Sequence, residues 1–408
     1  MMKLTSFIFI TSACLLFVII NVTLLSSYFT LHFSSQGQFN TTQAQGFTKK
    51  INVNEEQLQG DTTPMQGEMV HPCQTTGYQL PPFLKKPKCP EQYSFIFNYG
   101  QFNNELRSII VAIILSSAAN RTFVITDDLG YDFSSLINTT DMCVVQMSNE
   151  QIHSLNSIES KPNVVPCLDW GQIGQGYHCP SSHEGFALRT HTFNIQTYPE
   201  FEYPNVYCIA PKLPSFPQDP LITFSRVFFT GVPKSTYLFV LDHIDFLDTT
   251  LRETEKFITN ILQSKEYVGL HVRGLDGVCG HASHTYFGPN YTDDYLKSCS
   301  MSWEFVSDKI QKQGYDPNTI PIFLASDNQR PEITNELQTH PNVHRWEGDE
   351  SLMMDMCLLS KSSLFIGVPT SSMSFHIALL REKYGYSSKT NILTMYRETG
   401  YLHHLFME

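Results

Sequence analysis

Positive charge is what this sequence most lacks: 27 lysines and arginines stand against 39 aspartates and glutamates, a formal net charge of -12. A nucleic-acid binder shows the opposite balance, so that class is excluded, and any phosphate must be met by a few placed groups. Charge of either sign is sparse, 16% of residues against 41% hydrophobic and 12% aromatic, which excludes disorder for most of the chain. No internal repeat of roughly 20 to 50 residues is evident. The run Gly171-Gln172-Ile173-Gly174-Gln175-Gly176 has no lysine and no preceding strand, so it reads as a plain turn and not as a phosphate loop.

A second absence concerns the N-terminus. Phe7 to Leu25 is an uncharged apolar run long enough to cross a bilayer, and no clear small-residue cleavage site follows it. It reads as a transmembrane signal anchor over 7–29, behind a cytosolic tail at 1–6. Lys3 precedes the run and no basic residue follows it until Lys49, so the positive-inside bias leaves the bulk of the chain lumenal. The sequons beginning at Asn40, Asn120, Asn138 and Asn290 agree with that side of the membrane. So do nine cysteines beyond the run: Cys73, Cys89, Cys143, Cys167, Cys179, Cys208, Cys279, Cys299 and Cys357. An odd count leaves one thiol, and Cys357, inside the apolar helical stretch LMMDMCLLS, is expected to be buried and free. Cys73 to Cys89 and Cys279 to Cys299 are the local pairs to expect, with connectivity otherwise open.

At 408 residues the chain is expected to form two compact lobes. Residues 30–71, rich in Gln, Thr, Asn and Gly, read as a flexible stem. Tyr93 to Asn98, the helix from Leu106 and the strand Thr122 to Thr126 form a strand, helix, strand unit with the continuous apolar runs of a parallel sheet. From Tyr131 to about Pro220, where Pro, Tyr, Asn and Gly are frequent and four cysteines occur, the expectation is disulfide-pinned loops. A second βα series follows. It has a helix from Thr250, with Thr250 and Glu253 as its capping box, then strands at Glu266–Val272, Ile320–Ser326 and Ser363–Val368. Helices are expected around Trp303–Lys312, Pro331–Thr339, Ser351–Lys361 and Ser374–Glu382. The fold class is α/β, with an N-terminal lobe at 72–248 and a C-terminal lobe at 249–408.

Ligands of open parallel sheets bind at the carboxyl ends of the strands. Three strand ends here are polar: His271-Val272-Arg273-Gly274-Leu275-Asp276, Ala325-Ser326-Asp327-Asn328, and Pro369-Thr370-Ser371-Ser372-Met373-Ser374, the last also opening a helix. Arg273 suits a bidentate grip on a pyrophosphate, with Ser371, Ser372 and the N–H groups of the helix start donating to the same anion. Taken singly, each has a structural explanation: an Arg273–Asp276 ion pair, a serine cap, an Asx-turn at Asp327. His281, His284, Cys279 and Cys299, and likewise His178, Cys179 and His183, have zinc-ligand chemistry, but a lumenal disulfide suits these cysteines better.

These residues also carry a family resemblance. Tyr99-Gly100-Gln101-Phe102-Asn103-Asn104-Glu105, with Asn120-Arg121-Thr122 after the helix, resembles the GRFGNQ…NRT opening of protein O-fucosyltransferases. His271 to Asp276 is similar to the H-x-R-x-x-D signature of GDP-fucose-dependent O-, alpha-1,6- and alpha-1,2-fucosyltransferases. Ala325 to Asp327 and the run DMCLLSKSSLFIGVPTSSMS resemble that superfamily's later motifs, in the same order. The resemblance covers Tyr93 to Thr126 and Tyr267 to Glu382. It departs from the pattern at Gln101, Asn103, Glu105, Val368 and Pro369.

The resemblance implies a GT-B-like architecture of two Rossmann-like lobes. It also implies inverting, metal-independent transfer from GDP-fucose to a glycan or protein hydroxyl, with no cofactor beyond the donor substrate. Arg273 would hold the β-phosphate. His271, Asp327, Ser371 and Ser372 would line the donor site, and Asn104 would reach it from the N-terminal lobe. The general base is open among His281, Glu105 and Asp276. The expected setting is the Golgi or endoplasmic reticulum membrane, type II, with a nucleotide sugar and a glycan or glycoprotein as partners. Another nucleotide sugar on the same fold, and a silent membrane lectin or chaperone of that fold, are the alternatives.

Overall fold

In a computed structural model the residues described are 88–97, 101–127, 129, 131, 133, 142–156, 164–169, 179, 182–183, 186–192, 206–215, 219–225, 227, 230–274, 293–348, 351–369 and 371–392. All belong to the unit Gly67–Glu408. The apolar run at 7–29, the stem, Asp276 and His281 lie outside them. Among the described residues no helix is long and apolar enough to cross a membrane.

The first sheet begins with β1 (Tyr93–Ile96), α1 (Phe102–Ala118) and β2 (Thr122–Thr126). Ile109 to Leu115 of α1 are buried on every side, which is why the helix is apolar on more than one face. β3 (Val144–Met147), α2 (Asn149–Asn156), β4 (Val164–Asp169), β5 (Ser182–His183) and β6 (Phe186–Thr192) follow. The short α3 (Val206–Ile209) then leads to β7 (Leu221–Phe224). The order is β3-β2-β1-β7-β4-β6-β5, parallel except for β5 against β6.

α4 (Lys234–Leu241) and α5 (Asp248–Phe257) lead to the second sheet. Its elements are β8 (Val268–Val272), α6 (Asp293–Ser300), α7 (Trp303–Lys312), β9 (Ile322–Ser326), α8 (Pro331–Gln338) and β10 (Val343–His344). They are followed by α9 (Ser351–Lys361), β11 (Leu364–Ile366), α10 (Ser372–Lys383) and β12 (Asn391–Ile392). The order is β10-β9-β8-β11-β12, all parallel. The chain runs outward from β8 to β10 and then restarts on the other side of β8 with β11. The crevice of this sheet therefore falls between β8 and β11.

Three expectations need correction. The stretch from Tyr131 to Pro220 is not only loops: it supplies β3, β4, β5, β6 and two helices, with β4 beside β7 in the sheet. Its strands are short, β6 is partly exposed, and periodicity over such lengths is weak. Cys89 pairs with Cys143, not with Cys73. Both cysteines lie just ahead of parallel strands two places apart, and parallel strands begin at the same edge of the sheet, so closeness along the chain misleads. Cys167 pairs with Cys179, Cys299 is also disulfide-bonded, and Cys357 is buried and free as expected. Finally, α5 starts at Asp248 after Leu247, so Thr250 is a buried residue inside the helix and not the cap of a capping box.

Candidate functional site

Period-two alternation sorts β8 into two faces. Val268, Leu270 and Val272 pack with Ile322, Leu324, Leu364 and Ile366 in one core. Gly269, His271 and, past the strand end, Arg273 point to the opposite face, where α9 and α10 pack. Gly269 allows that approach: a Cβ there would meet Ser362 Oγ at 2.7 Å and Leu359 Cδ2 at 3.0 Å. Gly367 after β11 does the same for α10, where a Cβ would stand 2.8 Å from Ser374 Oγ.

α10 opens on Ser371, whose side chain caps it by accepting from Ser374 N–H at 3.5 Å. Ser374 Oγ accepts from Val368 N–H at 2.9 Å and lies 2.8 Å from His271 Nδ1, so one hydroxyl ties β8, the β11 end and α10 together. Burial, reinforced by the Arg273 charge, pushes the His271 pKa down to about 3, and the ring is neutral.

Arg273 donates to Ser371 Oγ at 3.4 Å and to Gln101 Oε1, across from the first sheet, at 2.7 Å. Its Nε is 4.0 Å from Asp327 Oδ2. The Asp327 carboxylate also accepts from Gly274 N–H at 3.2 Å and from Gln329 N–H at 3.2 Å. Asp327 therefore makes the Asx-turn and, in the same geometry, staples the β8 end to the β9 end. Asn328 follows with a left-handed φ of 58°, its Oδ1 accepting from Arg345 at 2.9 Å.

These groups surround a cavity of about 360 Å³. Arg273, His271, Asp327, Ser326, Asn328, Asp355, Ser372 and Met373 line it from the second sheet's elements, and Gln101, Phe102, Asn103 and Tyr131 from the first's. Asp355 projects from α9 into it. Burial raises the Asp355 pKa to about 7, and the Arg345 charge only partly offsets this. Beneath the first turn of α10, His376 donates from Nδ1 to the Ser372 carbonyl at 3.0 Å. His376 is neutral, its pKa pushed to about 3 by burial and then by Arg107, so its Nε2 accepts the Tyr237 hydroxyl proton at 2.7 Å.

The structure thus brings together His271, Arg273, Asp327, Ser371 and Ser372. Asn104, half-buried, and Glu105, fully buried in the first turn of α1, are not among the lining residues. Gln101 and Asn103, on either side of Phe102, take the wall instead. Sequence reading missed those two as site residues, together with Tyr131 and Asp355. The signal for Asp355 was present, since it opens the DMCLLSKSSLFIG run.

No protein-family model matches this chain, and no curated protein matches it in sequence. Among solved structures, the apo form of POFUT1 matches with a TM-score of 0.51 at 16% identity, over 74% of this chain and 98% of that one. POFUT1 in complex with GDP-fucose matches with a TM-score of 0.50 at 18% identity, over 72% and 95%. The fold of this chain is the α/β, GT-B-like fold of POFUT1, the fold that its sequence motifs imply.

Proposed function

We propose that this protein is a glycosyltransferase that moves fucose from GDP-fucose to a glycan or protein hydroxyl with inversion. In this reading it is held in the Golgi or endoplasmic reticulum membrane as a type II protein with a lumenal catalytic domain. The observation that carries the reading is the meeting of Arg273, held by Ser371, with Ser372 at the α10 N-terminus in one cavity at the β8–β11 crevice. First-turn N–H groups have no partner inside their helix and favour an anion, and a guanidinium grips two phosphate oxygens at once. As the bond from the sugar to the β-phosphate oxygen breaks, negative charge grows on the phosphate that these groups face. Asp327 and Ser371 hold Arg273 ready for that charge.

Asp355 supplies base selection in this reading. Near neutral pH Asp355 is poised to ionise, and guanine N1–H and N2–H favour the ionised form by donating to both of its oxygens, whereas uracil offers one N–H donor. The acceptor's proton goes to His281 or Asp276, both outside the described residues. Glu105 is the weaker choice, because it is fully buried and away from the cavity wall. The alternative donors and the silent binding protein make different predictions. Full-length protein is incubated with GDP- and UDP-sugars while nucleotide release is measured. Release from GDP-fucose alone, lost in Arg273→Ala, supports the proposal. A response to another sugar nucleotide changes the donor, and a folded wild type with no response to any of them rejects transferase activity in favour of a binding role.

A further inference from the structure

The two walls of the cavity differ in chemistry. The basic and acidic lining side chains, Arg273, Asp327 and Asp355, come from the second sheet's elements, whereas Gln101, Phe102, Asn103 and Tyr131 on the first sheet's side are all neutral. Tyr131 is 40% exposed while its neighbours Phe102 and Phe133 are 3% and 0% exposed. Phe102 and Phe133 stack at 4.9 Å and 16°. Tyr131 stands nearly perpendicular to both, 5.1 Å from Phe102 at 88° and 6.1 Å from Phe133 at 73°. The two comparable distances put it alongside the pair, backed by two buried rings, and an exposed aromatic fixed in this way loses little freedom on binding. On the same wall, Asn103 is 5% exposed, and its Oδ1 has no hydrogen-bond partner among the described residues.

We infer that this wall is a subsite for a neutral sugar ring of the acceptor, so that the acceptor is a glycan and not a serine or threonine of a protein. One face of a pyranose is a patch of C–H groups that packs on an aromatic ring, and its rim of hydroxyls is served by amides. An aromatic that shares its wall with the Asn103 amide and with the Gln101 amide, whose oxygen Arg273 holds and whose NH2 group is left to donate, and with no charged side chain on that wall, fits that ligand. An extended peptide instead needs backbone partners along a strand edge or groove. The nucleotide's charged half is matched by the opposite wall, which leaves this one to the acceptor. The inference rests on the glycosyl-transfer reading above.

The test is saturation-transfer NMR of the full chain with GDP, in a detergent without a sugar headgroup, against neutral oligosaccharides and serine- and threonine-containing peptides. The expected result is oligosaccharide binding with the strongest saturation on the C–H protons of one ring face. That binding should weaken roughly tenfold in Tyr131→Ala and stay within about threefold in Tyr131→Phe. Wild type that binds no oligosaccharide, binds only peptides, shows uniform saturation, or binds equally well as Tyr131→Ala overturns the subsite. GDP binding in the same samples decides the other question by itself. Protein that binds GDP but no sugar loses only the subsite, and protein that binds sugar but no GDP keeps the subsite and loses the transferase reading.

Discussion

At the scale of the residue, the site is built from groups held in one protonation state by burial. His271 and His376 stay neutral in the fold down to about pH 3, while an unfolded histidine takes up its proton near 6.5. Between those values the unfolded chain binds more protons, so each histidine makes stability fall as pH falls. Asp355 acts in the opposite sense: folded, it keeps its proton up to about pH 7, whereas unfolded it ionises near 3.8, so its contribution falls as pH rises. From pH 4.5 to 6 the two histidines outweigh Asp355, so the three together leave a net slope of about one proton, with stability rising as pH rises. Asp355→Asn removes the opposing group, and urea titrations of that variant are expected to show about twice the slope. An unchanged slope would mean that Asp355 is not held protonated. Arg273 and Ser371 were legible in the sequence because strand ends and helix starts have fixed chemistry. Tyr131 was not, because what marks it is the pair of rings behind it, a fact of packing and not of order along the chain.

At the scale of the element, α10 is the part on which the site depends most. Its capping serine, the hydroxyl of Ser374 and the close pass of Gly367 are one arrangement. Gly367→Ala brings a Cβ to 2.8 Å from Ser374 Oγ and 2.9 Å from its Cβ, neither of them the end of a flexible chain. The expected loss is about 1–3 kcal/mol in denaturant unfolding, with weaker GDP binding as Ser374 moves off His271 and Val368. Stability equal to wild type would show that α10 can retreat without consequence. The β8, β9 and β11 regions and the helices between them were readable because buried parallel strands are continuous apolar runs and α7 and α9 carry full-length patterns. β3 to β6 were not, since runs of two to seven residues, with β3 and β6 partly exposed, leave little to count.

At the scale of the whole molecule, two largely parallel sheets meet at one cavity, with Arg273, Asp327 and Asp355 on one side and neutral side chains on the other. Fold class and the second sheet's half of the site could be read from sequence, because both follow from βα alternation. The first sheet's half could not, because it depends on packing that turns Gln101, Phe102 and Asn103 toward the crevice in place of Asn104 and Glu105, and that brings Tyr131 beside Phe102. The most direct measurement is calorimetric titration of GDP into the full-length protein and its Arg273→Ala and Arg273→Lys variants at one fixed salt concentration. GDP should bind the wild type at least about a hundredfold more tightly than Arg273→Ala, with lysine restoring little because it cannot grip two oxygens in plane. Folded wild type that ignores GDP, or an alanine variant that binds it as well, would contradict the account.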